Sequence, residues 1–376
     1  MPHYKFSDLA YNITDKKMPE PGDERTYIGL EHLDSGSLAV TRWGCEIELK
    51  GQKLVMKKGD ILFGRRNTYL RRAAIAPHDG IFSAHGMIFR PKTEVIDPDY
   101  FPFFIASDYF MNAAIRISVG SLSPTVNWKT LKELEFNIPT LEQQRESAKI
   151  LKAANELKES YQALLLKTDD LVKSQFIEMF GDPFINERGW KVSEFSKLCT
   201  AIGDGLHGTP VYDDEGPYPF INGNNLRENK IEITPETRRV GQEMYDKHFI
   251  DLDNTTVMLS INGTLGKTAL YNGETVILGK SACYSKVGPL LDREFVLAVF
   301  LSDAFQQYMQ DNSTGTTIKN FGLKALRTYP MIVPPIEEQR KYVQFMRQSD
   351  KSKFELKQAI EGVDVLIKSM IQQELN

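Results

Sequence analysis

The run Gly263-Thr264-Leu265-Gly266-Lys267-Thr268 has the ending of a phosphate-cradling loop, in which backbone amides and a lysine hold a nucleotide. That chemistry needs a glycine five residues before the second one, and the position holds Ile261. A helix should also follow, whereas Ala269 to Gly273 reads as a strand entering a turn. Asp182-Pro183-Phe184 shares part of the Asp-Pro-Pro-aromatic tetrapeptide with which amino-methyltransferases hold a flipped base, but one proline is absent and no glycine-rich cofactor loop precedes it. The six histidines form no His-Glu-x-x-His pair, and the acids have no metal-nuclease spacing. Cys45, Cys199 and Cys283 lie far apart with no Cys-x-x-Cys, which argues against disulfides and structural zinc. We expect a non-catalytic chain with no cofactor or metal of its own.

Recognition chemistry is better supplied. Between Lys57 and Arg72 six basic residues stand against one acid, Asp60, although the whole chain carries a net charge of −4. That balance excludes an indiscriminate nucleic-acid binder and leaves room for a local basic site. Arg65, Arg66, Asn67, Arg71 and Arg72 offer forks for guanine or phosphate and an amide for adenine. Further along, His207 and Thr209 stand in Asp-Gly-Leu-His-Gly-Thr-Pro, Asn222 and Asn224 in Phe-Ile-Asn-Gly-Asn-Asn-Leu, and Asn262, Thr264 and Lys267 in the false phosphate loop. Small donors and acceptors between glycines can approach a base edge; the plain alternative is turn formation.

The elements positioning these groups occur twice. Shifting the chain by 195 residues, without a gap, aligns 107–180 with 302–375 and matches sixteen of 74 pairs, among them Ser107/Ser302, Gly120/Gly315, Gln144/Gln339 and Arg145/Arg340. A duplicated unit suits a two-fold target, and duplex DNA leads the candidates. In the first copy, Tyr27 to Leu30, Leu38 to Arg42, Cys45 to Leu49, Asp60 to Phe63 and Ala73 to Ile75 read as strands between glycine turns. Tyr100 to Ile117 and Arg293 to Met309 read as helices. After Pro139 the chain turns to Glu, Gln, Lys, Ala and Leu with no Pro or Gly until Gly181, predicting one helix of about 40 residues, some 60 Å long. Its apolar seam is Ile150, Ala154, Leu157, Tyr161, Leu164, Thr168, Leu171 and Gln175, repeated as Phe345, Ser349, Ser352, Leu356, Ala359, Val363, Leu366 and Met370. Two such helices should pair antiparallel as a coiled coil; the alternative is that each folds onto its own domain. The expected fold is α+β, with two β-rich domains in a pseudo-two-fold tandem repeat at opposite ends of two long helices. The boundaries are 1–138, a helix 139–180, a second domain 181–333 and a helix 334–376. No run approaches eighteen apolar residues and no leader pattern is evident, so a cytoplasmic protein without membrane contact is expected.

Phe180-Gly181-Asp182-Pro183 at a helix end, Pro334-Pro-Ile-Glu-Glu-Gln339 opening a helix, and Asp204-Gly-x-His-x-Thr-Pro210 together resemble the DNA-specificity subunits of type I restriction-modification systems. The resemblance spans essentially the whole chain. The first copy departs from it, with Pro139-Thr-Leu-Glu-Gln-Gln144 and no clear Asp-Gly-x-His run. The resemblance implies a subunit that recognises a bipartite asymmetric site in double-stranded DNA. It also implies two modification subunits that use S-adenosylmethionine, and restriction subunits that use ATP with magnesium. The helices would dock the modification subunits, with Glu142, Gln144, Arg145, Glu337, Gln339 and Arg340 as the expected contacts. Alternatives are the specificity subunit of a two-component type II methyltransferase-nuclease, and a coiled-coil adaptor that binds no DNA.

Overall fold

The computed structural model describes residues 2–46, 48–315 and 318–375. The chain divides into two compact units, Met1–Leu164 with Leu356–Asn376, and Leu165–Glu355. Each therefore takes a share of both long helices.

In the first unit, Ala10–Ile13, Met87–Pro91, Ile61–Phe63 and Ala73–Ile75 form an antiparallel sheet in that order. Strand side chains alternate between faces, so Ile61, Phe63, Met87 and Phe89 enter one core, with the helices, while Leu62, Ala74 and Ile88 enter another. Burial on both faces explains the unbroken apolar run. The second core is closed by a smaller sheet of Lys16–Lys17, Lys53–Met56, Gly80–Phe82 and Tyr27–Ile28, the last pair parallel. The second unit repeats the larger sheet with Cys199–Asp204, Ala282–Val287, Thr256–Ser260 and Thr268–Leu270. There Val257 and Leu259 face one core and Met258 the other. Its parallel pair is Tyr218–Ile221 with Ile277–Leu278.

Five local expectations are corrected. Leu38 to Arg42 forms no strand, and neither do Cys45, Glu46, Glu48 and Leu49; Ile47 lies outside the described residues. Positive φ at Gly36 and Gly44 turns the chain there, and Leu38 and Val40 are buried in different cores. Tyr27–Ile28 is followed not by more strand but by a 3-10 turn, Leu30–His32. Each predicted shorter helix is two helices, Phe101–Ala106 with Asp108–Arg116, and Arg293–Leu301 with Asp303–Asp311. At the break Ser107 is extended (ψ 151°), donates to Phe104 O at 2.6 Å and accepts from Phe110 N at 3.2 Å. Ser302 does the same with Val299 and Phe305. One hydroxyl ends a helix and caps the next, so Ser302→Ala should lower stability by about 1 kcal/mol in a urea titration; no change would mean the cap is dispensable.

The two long helices are Leu141–Phe180 and Ile336–Leu375, 40 residues each. Within the first unit Lys158 Nζ meets Asp364 at 2.6 Å, and within the second Lys353 Nζ meets Asp169 at 3.1 Å. Both residue types match under the 195 shift, so the pairing is antiparallel and reciprocal. The seam is rotated from the predicted one. Half of its first row, Ala154, Tyr161, Thr168 and Gln175, is buried or half-buried as expected, but Ile150, Leu157, Leu164 and Leu171 are about half exposed. Leu151, Lys158, Leu165 and Val172 take their places; in the other helix the predicted row is buried or half-buried except at Ser352 and Leu366, beside which Lys353 and Ile367 are half-buried.

The cause is a lock at each helix start. Gln144 is fully buried; its Oε1 accepts from Asp97 N (2.7 Å) and its Nε2 donates to Val95 O (3.1 Å) and Pro139 O (2.8 Å). Gln339 does the same with Asp292 N, Leu290 O and Pro334 O. These bonds set the helix phase against its own domain. They also correct the expectation that Gln144 and Gln339 face a partner.

Candidate nucleic-acid interface

The larger sheet delivers a loop at the same place in each unit. After Phe63 comes Gly64–Arg72, and after Leu259 comes Ser260–Lys267, one residue shorter; each is closed by one bond, Gly64 N to Arg72 O (2.9 Å) and Ser260 N to Lys267 O (2.8 Å). A second segment, 119–126 or 318–321, is paired to the loop. Asn67 N donates to Pro124 O and Val126 N to Arg65 O; correspondingly Gly263 N donates to Lys319 O and Phe321 N to Ile261 O. Bridges Arg66 to Thr125 and Asn262 to Asn320 complete the match. Sequence reading missed this segment, because its partner lies about 58 residues upstream. The available signal was the repeated Gly120/Gly315, both at positive φ.

Arg66 is exposed and donates to Ser123 Oγ (3.2 Å). Arg65, Asn67 and Arg72 are half-buried, and Arg65 Nε and Asn67 Oδ1 are buried without a protein partner. Asn67 and Arg71 adopt left-handed backbone (φ 54° and 51°). Arg71 departs from expectation, since its guanidinium donates to Asp108 Oδ1 (2.8 Å) and Asn112 Oδ1 (2.5 Å) and ties the loop to a helix.

In the second unit three stretches converge on Leu278–Ala282. Leu206 N donates to Leu278 O and Lys280 N to Leu206 O; Gly279 N donates to Ile221 O, and Ile261 N to Ser281 O. A Cβ on Gly205 would stand 1.9 Å from Leu278 O, so only glycine allows this approach. The edge therefore brings together His207, Asn222, Asn224 and Asn262. His207 Nε2 meets Asp204 Oδ2 at 2.8 Å, Asn222 Oδ1 accepts from Ser281 Oγ at 3.1 Å, and Asn262 Nδ2 donates to Asn320 Oδ1 at 3.1 Å. Thr209, Asn224 and Thr264 are exposed and Lys267 is half-buried; exposed Lys280 and Lys319, not singled out in the sequence, add charge to this edge. At the strand end away from the loop, Lys286, opposite Thr256, meets Asp253 at 2.7 Å and, with the Thr255 hydroxyl, holds that carboxyl down at about 2.

The false phosphate loop is followed by the strand Thr268–Leu270 rather than a helix. Asp182 Oδ1 accepts from Phe184 N (2.7 Å) and Ile185 N (3.0 Å), which makes Asp-Pro-Phe a turn. Among the described residues no cluster of His, Cys, Asp or Glu could hold a metal ion, and no helix is long and apolar enough to cross a membrane.

Two sheet-borne loop edges on one chain, built on one frame with different side chains, define a tandem recognition protein. The chain belongs to the type I restriction modification DNA specificity domain family, whose model matches residues 20–165 and 187–362. It is 21% identical over 339 residues to "Putative type I restriction enzyme MjaX specificity subunit" of Methanocaldococcus jannaschii, covering 83% of this chain and 77% of that protein. Its fold resembles a chain solved in work on complex assembly and conformational transition of the type I R-M system (TM-score 0.61, 17% identity, 100% of this chain and 97% of that one). It also resembles the type I restriction-modification S subunit from M. genitalium (TM-score 0.57, 12% identity, 100% and 96%). The family carries DNA sequence specificity.

Proposed function

We propose that this chain is the specificity subunit of a type I restriction-modification complex and reads a bipartite, asymmetric sequence in double-stranded DNA. Residues 1–138 read one half and 181–333 the other, while the helices 139–180 and 334–376 hold the gap between them. The observation that carries this is the loop frame present twice with different side chains. A repeated frame docks each copy alike, and unlike side chains read unlike half-sites. Arg65, Arg66, Asn67 and Arg72, with Arg71 positioning the loop, act in one half. His207, Thr209, Asn222, Asn224, Asn262, Thr264 and Lys267 act in the other.

Two modification subunits dock on the helices, where Glu142, Arg145, Glu337 and Arg340 are exposed and Ile150, Leu157, Leu164 and Leu171 form an exposed apolar row spaced by seven. Those subunits supply S-adenosylmethionine chemistry, and restriction subunits supply ATP and magnesium chemistry, in the cytoplasm. The test is to replace residues 1–138 with the corresponding domain of a relative and map methylated sites in the assembled complex. One half of the motif should change while the other half and the gap persist. A change in both halves would sink the modular reading.

A further inference from the structure

The smaller sheet ends in a second frame, shared by the two units, that reaches the same edge. Ile28 pairs with Phe82 and Ile221 with Leu278, both parallel. Ser83 N donates to Ile28 O (3.0 Å) and Gly279 N to Ile221 O (2.8 Å). A one-turn 3-10 helix follows, Leu30–His32 or Gly223–Asn225. Each is closed by its last side chain, with Gly29 N donating to His32 Nδ1 (2.9 Å) and Asn222 N to Asn225 Oδ1 (3.0 Å). Leu33 and Leu226 then enter equivalent cores. In each unit the turn leans on the first residue of the recognition loop. The place of a Gly64 Cβ lies 3.8 Å from Leu30 Cδ2, and that of a Gly223 Cβ lies 2.8 Å from Ser260 Cβ.

Within this shared frame the middle residue of the turn is exposed in both units and differs in chemistry: Glu31 in one, Asn224 in the other. Glu31 has room because position 29 is glycine; its Oε1 lies 1.9 Å from where a Gly29 Cβ would stand. A carboxylate weakens phosphate attraction, so it does not serve general affinity. What it offers DNA is acceptance from a base amino group such as cytosine N4, whereas the Asn amide both accepts and donates and suits adenine.

We infer that Glu31 and Asn224 are equivalent specificity-determining positions, one in each half of the recognised sequence. This rests on the specificity-subunit reading above. The test uses the full chain assembled with its methyltransferase partners, carrying Glu31→Gln or Asn224→Asp, with methylated sites mapped by sequencing. Both changes keep size and shape at exposed positions, so the melting temperature should hold. Each should alter preference at one base pair by about tenfold or more, Glu31→Gln in one half and Asn224→Asp in the other. An unchanged motif, or a uniform fall in methylation at every site, would overturn the assignment. A parent complex with no defined motif would instead defeat the underlying specificity-subunit reading, and this inference with it.

Discussion

Gln144→Leu is expected to cost about 3 kcal/mol or more, and Gln339→Leu the same. Each removal leaves two carbonyls and one amide without their partner, Val95 O, Pro139 O and Asp97 N in the first unit. A buried group left unsatisfied costs about 1–3 kcal/mol, and leucine's apolar gain offsets part of three such losses. Glu146→Gln, two residues on and exposed, should stay within about 0.5 kcal/mol. Urea titrations followed by circular dichroism measure both. A loss below about 1 kcal/mol for Gln144→Leu would show that the amide does not lock the helix. The proposed docking would be affected too, because the lock sets which helix face is exposed.

A second large effect belongs to the start of the strand that leads into Gly64–Arg72. Asp60, at 3% exposure, is held by Arg90 through two bonds, Nε to Oδ1 (2.8 Å) and Nη2 to Oδ2 (2.9 Å), and also accepts from Lys57 N (2.9 Å). Arg90→Leu would leave a buried carboxylate without its counter-charge, which costs about 3–5 kcal/mol. The reverse change should be milder, because Arg90 is 41% exposed and water can take over its solvation. The second unit shows the replacement that works. Thr256 stands where Asp60 does, its Oγ1 accepting from Asp253 N (3.2 Å), and the ion pair has moved to Lys286 and Asp253. Asp60→Thr is therefore expected to cost about 1 kcal/mol, the net worth of an ordinary hydrogen bond. Equal costs for the two variants in the same denaturation assay would refute this account. Arg90→Leu should also weaken DNA binding by the assembled complex, since Asp60 begins the strand that carries Gly64–Arg72.

Much of this architecture was legible beforehand because it is local or repeated. The 40-residue helices follow from composition bounded by Pro139 and Gly181, and the strands Ile61–Phe63 and Ala73–Ile75 from short apolar runs between turns. The breaks at Ser107 and Ser302 were missed although both serines stood in the repeat, because a cap depends on backbone dihedrals that apolar periodicity does not record. The helix seam was read from leucines. Lys158 and Lys353 took seam positions instead, a choice visible only once Asp364 and Asp169 faced them.

The sequence by itself determined that the chain is a duplicated unit, that its polar loops are rich in Arg, Asn and Thr, and that the copies differ there. These properties lie in residue types and their spacing. Only the tertiary structure decided that Gln144 and Gln339 are internal locks, that Arg71 is tied to a helix, and that Glu31 shares a frame with Asn224. Each depends on contacts between residues tens of positions apart, where the backbone of one segment satisfies the side chain of another. No local pattern encodes which distant carbonyl an amide will meet.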